Sequence, residues 1–304
     1  MSTPQYFGSL ESAVSSLFGE GTKIEQTRRI SGGDSNEAYG LTLTGGKYIF
    51  MKCNTKENLP FFTAEAAGLH AIARTEAIGT PRILGVGTDG GRGGFSFLLL
   101  EFISGKSRGK RYWEEFAGQL AGLHRAETDG LAAGGKYGFE SDNYIGRRRQ
   151  VNTGYGSWIG FFRDCRLAPQ FRDADRYFDR EDRKKILRLL DHLDEILVEP
   201  QKPSLLHGDL WAGNVITGND GRAWLIDPAV SVGHAEADIA MTELFGGFPP
   251  VFYDAYKAAA PMQPGYERRR DVYNLYHLLN HLNMFGRTYL PEVKYVVERA
   301  LQSL

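Results

Sequence analysis

The stretch His207-Gly-Asp-Leu-Trp-Ala-Gly-Asn214 decides the fold, together with Leu225-Ile-Asp-Pro228 shortly after it. Both stretches follow short apolar runs of β-strand character, at points where the backbone leaves the core and can direct side chains into a cleft. They carry three polar groups, Asp209, Asn214 and Asp227. Any one of them alone could be a turn residue that caps local backbone, but their order and spacing favour one functional site.

The spacing of Asp209 and Asn214 matches a kinase catalytic loop of the form H-x-D-x-x-x-x-N, and Asp227 stands where the metal-binding Asp of D-F-G would be. Phosphoryl transfer to an alcohol needs a carboxylate that orients and deprotonates the hydroxyl, and oxygen ligands for Mg²⁺. We therefore predict that Asp209 is the catalytic base, that Asn214 and Asp227 bind Mg²⁺, and that ATP is the donor. Gly208 replaces the usual Arg, so a constitutively formed site is expected. Asp238 is expected to brace the catalytic loop.

The amino-terminal half is expected to bind the nucleotide. The pair Gly32-Gly33 precedes a β-like run, so its amides could lie over the phosphates, although a plain hairpin has the same pattern. Lys52 follows on the next strand and Glu65 on the helical segment after it, which is the order of the kinase Lys–Glu ion pair. Either could instead be a solvated surface residue. The backbone of Glu101-Phe102-Ile103 is expected to hydrogen-bond the adenine, or to be part of a buried strand only.

The hydrophobic pattern predicts an α+β chain with a boundary after residue 103, and the order of the motifs described above favours a two-lobed, protein-kinase-like fold for it. Residues 1–103 are expected to form a small, mostly antiparallel sheet that carries one helix, and residues 104–304 a larger, mainly helical lobe. The alternating runs that predict strands lie at 39–43, 48–52, 82–87, 95–102, 204–206 and 223–226. The helical patterns lie at 59–79, 113–123, 186–197, 236–245, 250–260, 268–285 and 291–304.

Composition excludes several classes of protein. A net charge of −1 over 304 residues lacks the positive field of a non-specific nucleic-acid binder. The arginine runs 147–149 and 268–270 are accordingly expected on solvated faces, with an anion-attracting role as the alternative for the first. Two cysteines are too few for a disulfide framework, and neither a signal peptide nor a membrane span is evident. A cytoplasmic location is expected. His277 and His281 lack the Glu of an H-E-x-x-H zinc motif, so packing roles are expected for them.

Taken together, several motifs resemble the fructosamine kinase family, within the wider group of aminoglycoside and choline phosphotransferases. They are residues 207–214, Ile226-Asp-Pro-Ala-Val230, Gly233-His234, the stretch 238–250 and Asp142-Asn-Tyr-Ile-Gly146. The resemblance implies ATP-dependent phosphorylation of a ketosamine, the adduct of a sugar on an amine, at its 3-hydroxyl. It further implies a role in protein deglycation and a preference for ribulosamines or erythrulosamines over fructosamines.

The resemblance also points to acceptor-binding residues. Asp142, Asn143 and Tyr144 match a family segment near the acceptor pocket, where they could read sugar hydroxyls or simply form a structural loop. Trp211 could stack on a sugar face, although anchoring of the catalytic loop is favoured. The partner is expected to be a small-molecule or protein-bound ketosamine, with no nucleic acid or membrane, and a monomer is slightly favoured. A phosphotransferase for an aminoglycoside, choline or homoserine, and a non-catalytic nucleotide-binding module, stay open as alternatives.

Overall fold

The structure is a computed structural model that describes residues 5–31, 36–90, 93–302 and 304. The chain forms two compact units. The first consists of Met1–Lys110 and Ile216–Asp227, and the second of Arg111–Val215 and Pro228–Leu304. The sequence-based boundary after residue 103 lies a few residues earlier, and it did not anticipate that a later segment returns to the first unit.

The first unit contains a six-stranded sheet in the order β1-β5-β6-β4-β3-β2. Its strands are β1 (Tyr6–Phe7), β2 (Ile24–Ile30), β3 (Glu37–Leu43), β4 (Tyr48–Thr55), β5 (Ile83–Asp89) and β6 (Phe95–Glu101). Neighbouring strands are antiparallel, except that β1 runs parallel to β5. The β3–β4 hairpin turns at Gly45 and Gly46, which both have positive φ, a conformation that glycine adopts without strain.

Two helices cover opposite faces of this sheet, α1 (Leu10–Phe18) and α2 (Leu59–Ala73). Val14 of α1 packs with the strand residues Leu41 and Ile49. Phe62 of α2 packs with Leu98 on the other face, in a separate apolar cluster. The prediction of a single helix in this half is therefore wrong. The helix α1 is short and rich in serine, a weak helix former, and Ser9 begins it by accepting a hydrogen bond from the amide of Ser12.

The second unit is mainly helical. Its helices are α3 (Tyr112–Arg125), α4 (Trp158–Phe161), α5 (Ala168–Asp173), α6 (Arg180–Asp191), α7 (Ala235–Leu244), α8 (Pro250–Ala259), α9 (Tyr266–Phe285) and α10 (Leu290–Gln302). A π-helical turn, Phe162–Leu167, joins α4 to α5. Short antiparallel pairs are formed by β7 (Asn143–Ile145) with β8 (Arg148–Gln150), and by β9 (Ser204–Leu206) with β12 (Ser231–Gly233). The strands β10 (Val215–Thr217) and β11 (Ala223–Leu225) form a hairpin. From Ile216 onwards this hairpin lies in the segment that belongs to the first unit.

Helix α9 runs through the core of the second unit. Apolar side chains on it, such as Val272 and Leu279, are fully buried, and Tyr273 accepts a hydrogen bond from the indole nitrogen of Trp158 at 3.1 Å. Polar residues are interspersed among these apolar ones, so the buried apolar side chains of α9 do not form one continuous apolar run. Among the residues that the structure describes, no helix has the length and apolar character needed to cross a membrane.

Candidate active site

Lys52 is the central cation of the first unit. It lies on β4, is buried, and its ammonium donates hydrogen bonds to Glu65 Oε1 at 2.6 Å and to the carboxylate of Asp227. The predicted ion pair between Lys52 and Glu65 is thus present. Burial on its own would lower the pKa of Lys52, but the carboxylates of Asp227 and Glu65 outweigh it and raise this pKa above its ordinary value. The group therefore stays positively charged at physiological pH.

Asp227 reaches Lys52 from the end of β11. Its backbone has φ +55°, a left-handed conformation that Asp tolerates better than most residues but that still costs about 1–3 kcal/mol. The strand before it is tied to the first unit because Leu225 donates its amide hydrogen to the carbonyl of Gly79 at 2.8 Å. One carboxylate oxygen accepts from Lys52, and the side chain is 41% exposed. A partly exposed carboxylate with a second oxygen is a suitable Mg²⁺ ligand.

The second unit holds the predicted catalytic loop, which follows β9. Gly208 in this loop has φ +82°, and a Cβ at this position would overlap the carbonyl oxygen of Ala229. Ala229 in turn donates its amide hydrogen to the carbonyl of His207 at 2.8 Å. Only glycine satisfies both conditions, which explains why the position before Asp209 carries glycine instead of arginine.

Asp238 of α7 holds this loop in place by accepting hydrogen bonds from its backbone. Its Oδ2 accepts the amide of His207 at 2.7 Å and its Oδ1 accepts the amide of Gly208 at 2.8 Å, and His124 Nε2 lies 3.2 Å from Oδ2. Burial would raise the pKa of Asp238, but the hydrogen bonds and charges around it, led by His124, lower it. The carboxylate therefore stays ionised. The predicted bracing role of Asp238 is confirmed.

Asn214 orients the carboxylate of Asp209. The two residues are joined by Asn214 Nδ2, which donates to the backbone carbonyl of Asp209 at 2.8 Å and to its Oδ2 at 3.1 Å. A short 3-10 turn, Ala212–Asn214, places the amide there. The amide nitrogen of Asn214 is directed at Asp209, and its amide oxygen is of the ligand type that suits a hard cation. The two residues that the five-residue spacing singled out are thus hydrogen-bonded neighbours in the second unit, and their roles as base and metal ligand stay predictions.

The acceptor segment is only partly available to a substrate. Asn143 is 3% exposed, its Nδ2 donates to the carbonyl of Val230 at 2.7 Å, and its Oδ1 accepts from Gln150 at 2.7 Å. Gln150 also donates to the carbonyl of Ala229 at 3.0 Å and accepts from the hydroxyl of Tyr276 at 2.7 Å. The buried side chain of Asn143 and its two hydrogen bonds favour the structural-loop alternative for this residue, and contact with a sugar hydroxyl is not favoured.

The other expected acceptor residues are more accessible. Asp142 accepts hydrogen bonds from the amide of Asn152 at 2.8 Å and from Arg149 Nε at 2.9 Å, and its side chain is 26% exposed. Tyr144 is partly exposed. Trp211 is 40% exposed, and its ring lies so close to Gly213 that a Cβ there would overlap it. Trp211 thus packs on the catalytic loop with one side and presents the remainder of the ring to solvent.

The expected base-binding backbone lies at the end of β6. The amide of Glu101 donates to the carbonyl of Arg82 at 2.9 Å, so the predicted hydrogen-bond donation to a nucleotide base depends on the amides of Phe102 and Ile103. These two residues continue without regular secondary structure. The expected phosphate loop, Gly32-Gly33, lies outside the described residues.

One charge run was misinterpreted from the sequence. Arg269 is not solvated: it is 3% exposed and donates through two nitrogens, each at 2.7 Å, to the carboxylate of the equally buried Glu236. In the other run, Arg148 pairs with Asp173. A bidentate pair allows an arginine to be buried, and the signal that could have indicated it is Glu236 in the first turn of α7, two helices earlier in the chain.

Comparison with known proteins identifies close relatives. A family model described as fructosamine kinase matches residues 7–303. The chain is 35% identical over 303 residues to a probable ketoamine kinase of Synechocystis sp., covering 99% of each chain. It is 36% identical to a chloroplastic protein-ribulosamine 3-kinase of Oryza sativa subsp. indica, covering 94% of this chain and 82% of that one. The crystal structure of a putative fructosamine-3-kinase from Haemophilus somnus superposes with a TM-score of 0.84 at 30% identity, covering 96% and 97%. The predicted α+β, kinase-like fold is confirmed.

Proposed function

This chain belongs to the fructosamine kinase family, and from that premise we propose that it transfers the γ-phosphoryl group of ATP to the 3-hydroxyl of a ketosamine. The observation that carries the proposal is the family match over residues 7–303 in a chain that keeps the chemical groups of phosphoryl transfer. Lys52 is held by two carboxylates, and Asp209 is held by Asn214. A chain that had become a non-catalytic nucleotide-binding module could lose any of these residues.

In the proposed reaction, Lys52 supplies positive charge to the nucleotide phosphates. Glu65 fixes the direction of its ammonium group, so little reorganisation is needed when the phosphates arrive. Asn214 and Asp227 are the oxygen ligands proposed for Mg²⁺, which when bound offsets the negative charge of the phosphates. Both residues fit this role because each presents an oxygen that Mg²⁺ prefers.

Asp209 is proposed to accept the proton of the attacking hydroxyl. The hydrogen bond from Asn214 to Oδ2 fixes the plane of its carboxylate, and Asp238 fixes the backbone just before it. A base positioned in this way is worth about 10² to 10⁴ in rate. The structure therefore supports positioning by rigid hydrogen bonds, with no phosphorylation-dependent loop required.

The acceptor is proposed to be a ribulosamine or an erythrulosamine, free or attached to a protein, so that phosphorylation starts the loss of the sugar from the amine. The name of the rice relative, a protein-ribulosamine 3-kinase, supports this class. The exposed part of Trp211 and the partly exposed Asp142 and Tyr144 supply an aromatic face and polar groups that a sugar could contact.

The test is release of ADP with a panel of acceptors: a ribulosamine, an erythrulosamine, a fructosamine, choline and an aminoglycoside. Phosphorylation of the ketosamines, with the product's phosphate located on the 3-hydroxyl by NMR, is the expected result. Turnover with choline or the aminoglycoside alone would assign the chain to another alcohol. Absence of turnover with every acceptor, in a preparation that binds Mg·ATP, would favour a binding module. Asp209→Asn serves as the inactive control.

A further inference from the structure

Tyr48 is a partly exposed aromatic residue on the same strand as Lys52. Tyr48 begins β4, the strand that carries Lys52. Side chains alternate along a strand, so Tyr48, Phe50 and Lys52 share one face of the sheet and extend over about 13 Å between the first and last Cα atoms. That length is comparable to the distance from the base of a nucleotide to its phosphates. Lys52 marks the phosphate end of this row, and Tyr48 lies at the other end.

Tyr48 also lies beside the backbone expected to bind the base. Its ring meets Phe102 edge to face, with ring centroids 4.5 Å apart. Phe102 directly follows Glu101, which pairs with Ile49 in the β4–β6 ladder. Both rings are partly exposed. The edge-to-face contact fixes the orientation of the Tyr48 ring.

Gly40 provides the space for this orientation. It lies on β3 opposite Phe50, so a side chain there would project from the same face as Tyr48. A Cβ on Gly40 would overlap the hydroxyl oxygen and the adjoining ring carbon of Tyr48. The backbone of Gly40 is that of an ordinary strand residue, which any amino acid adopts. The absence of a side chain therefore serves the ring of Tyr48, which lies along the sheet over Gly40.

We propose that Tyr48 is the stacking platform for the purine base of the nucleotide, and that Gly40 is a positioning residue that keeps its ring flat against the sheet. This inference rests on the proposed function only in taking a nucleotide as the donor. It assigns two residues that determine nucleotide affinity through the base, whereas Lys52 acts on the phosphates. Aromatic stacking on a base tolerates any purine, so the platform favours ATP and GTP over inorganic polyphosphate.

The experiment is calorimetric binding of Mg·ATP and of Mg·tripolyphosphate, which has the phosphates but no base. Tyr48→Leu is expected to weaken ATP binding about ten- to hundredfold and to leave tripolyphosphate binding unchanged. Tyr48→Phe keeps the ring and is expected to bind ATP as the unaltered protein does. Tyr39→Leu is the matched control, because Tyr39 precedes Gly40 on β3 and packs in the cluster on the opposite face.

A double-substitution cycle tests Gly40. Gly40→Ala is expected to weaken ATP binding in the native background and to have no further effect in the Tyr48→Leu background, because it acts through the ring. ATP affinity within about twofold of the native value for Tyr48→Leu, or an equal loss for tripolyphosphate, would overturn the proposal. Thermal melting verifies that each variant is folded. The binding experiments contain no acceptor, so a negative ketosamine assay does not bear on the role of Tyr48. Likewise, unchanged ATP binding by Tyr48→Leu does not bear on ketosamine phosphorylation.

Discussion

The two groups of residues proposed for catalysis, one in each unit, are held in place by different forces. In the first unit, Lys52 is fixed by charge, because two carboxylates converge on one buried ammonium. In the second unit, the backbone around Asp209 is fixed by hydrogen bonds, because the buried carboxylate of Asp238 accepts two amide hydrogens of the loop. In the proposed function, the first arrangement positions the cation that binds the phosphates, and the second positions the base.

This difference predicts that substitutions in the first unit chiefly change ATP affinity and that substitutions in the second unit chiefly change turnover. A charge cluster interacts with the nucleotide in the ground state as well as the transition state, so weakening it affects chiefly ATP affinity. A base and its supporting loop act on the hydroxyl during transfer, so damage there affects chiefly turnover. Substitutions in the two units, ordered here by the size of the expected effect, test whether affinity and turnover separate in this way.

The largest effect is expected from Asp209→Asn. The amide keeps the size of the carboxylate but cannot accept the proton, so turnover should fall at least about 10²-fold while Mg·ATP still binds. Steady-state ADP release and calorimetric ATP binding measure the two quantities. Asp194→Asn, an exposed aspartate of the second unit, is the control and should be fully active. Equal turnover in Asp209→Asn would remove the assignment of the base.

The second-largest effect is expected when the loop that carries Asp209 loses the carboxylate of Asp238. Asp238→Ala leaves the amides of His207 and Gly208 without their acceptor in a buried site, and each orphaned group costs about 1–3 kcal/mol. We expect the free energy of unfolding to fall by about 3 kcal/mol and turnover to fall with little change in the KM for ATP. Urea unfolding and kinetics provide both values. Asp254→Ala, an exposed position on α8, is the comparison. A proportionate rise in the KM for ATP would mean that the loop also sets nucleotide affinity.

The two units also differ in how much of their structure could be predicted from the sequence. The segment from Asp209 to Asn214 could be singled out from the sequence because the spacing of these two residues is a local property of the chain, and its catalytic role stays a prediction. The two strands of the β3–β4 hairpin were also predicted, although they are slightly longer than expected at Glu37–Leu43 and Tyr48–Thr55, since alternation is a local signal. Strand β2 was missed because its residues are mostly polar and its central positions exposed, as at a sheet edge where one strand neighbour is lacking.

What the sequence did not show are the partners that come from distant segments. The burial of Arg269 depends on Glu236, and that of Asn143 depends on Gln150 and the backbone at Val230. Charge and polarity favour the surface on average, so only the folded structure shows where a satisfied hydrogen-bond set overrides that tendency. The return of residues 216–227 to the first unit is likewise a tertiary property.

Acid is expected to weaken the second unit through its buried histidines. Burial lowers the pKa of His234 to about 4 and that of His277 to about 3, against about 6.5 in an unfolded chain. The unfolded state therefore binds more protons as the pH falls below about 6.5, and stability is lost down to the folded pKa values. Between pH 7 and pH 5 the loss should be about 2 kcal/mol per histidine.

Urea unfolding at the two pH values, followed by tryptophan fluorescence, to which the buried Trp158 contributes, measures this loss. His277→Gln should reduce the pH dependence, whereas His192→Gln, at the exposed end of α6, should retain it. The same free energy of unfolding at pH 7 and pH 5 would contradict the expectation. By contrast, the raised pKa of Lys52 stabilises the first unit below about pH 10.5, and this contribution is lost as the pH rises through the higher folded value.

The smallest effect is expected from Glu65→Gln. The glutamine oxygen can still accept a hydrogen bond from Lys52, and Asp227 still supplies a negative charge, so only the difference between a charged and a neutral acceptor is lost. That difference is about 1 kcal/mol, which should raise the KM for ATP about fivefold with turnover nearly constant. Glu25→Gln on the exposed edge strand β2 is the control. A fall in turnover with an unchanged KM would show that the ammonium of Lys52 acts mainly in the transition state, and the division between a charge-held affinity site and a hydrogen-bonded catalytic loop would then fail.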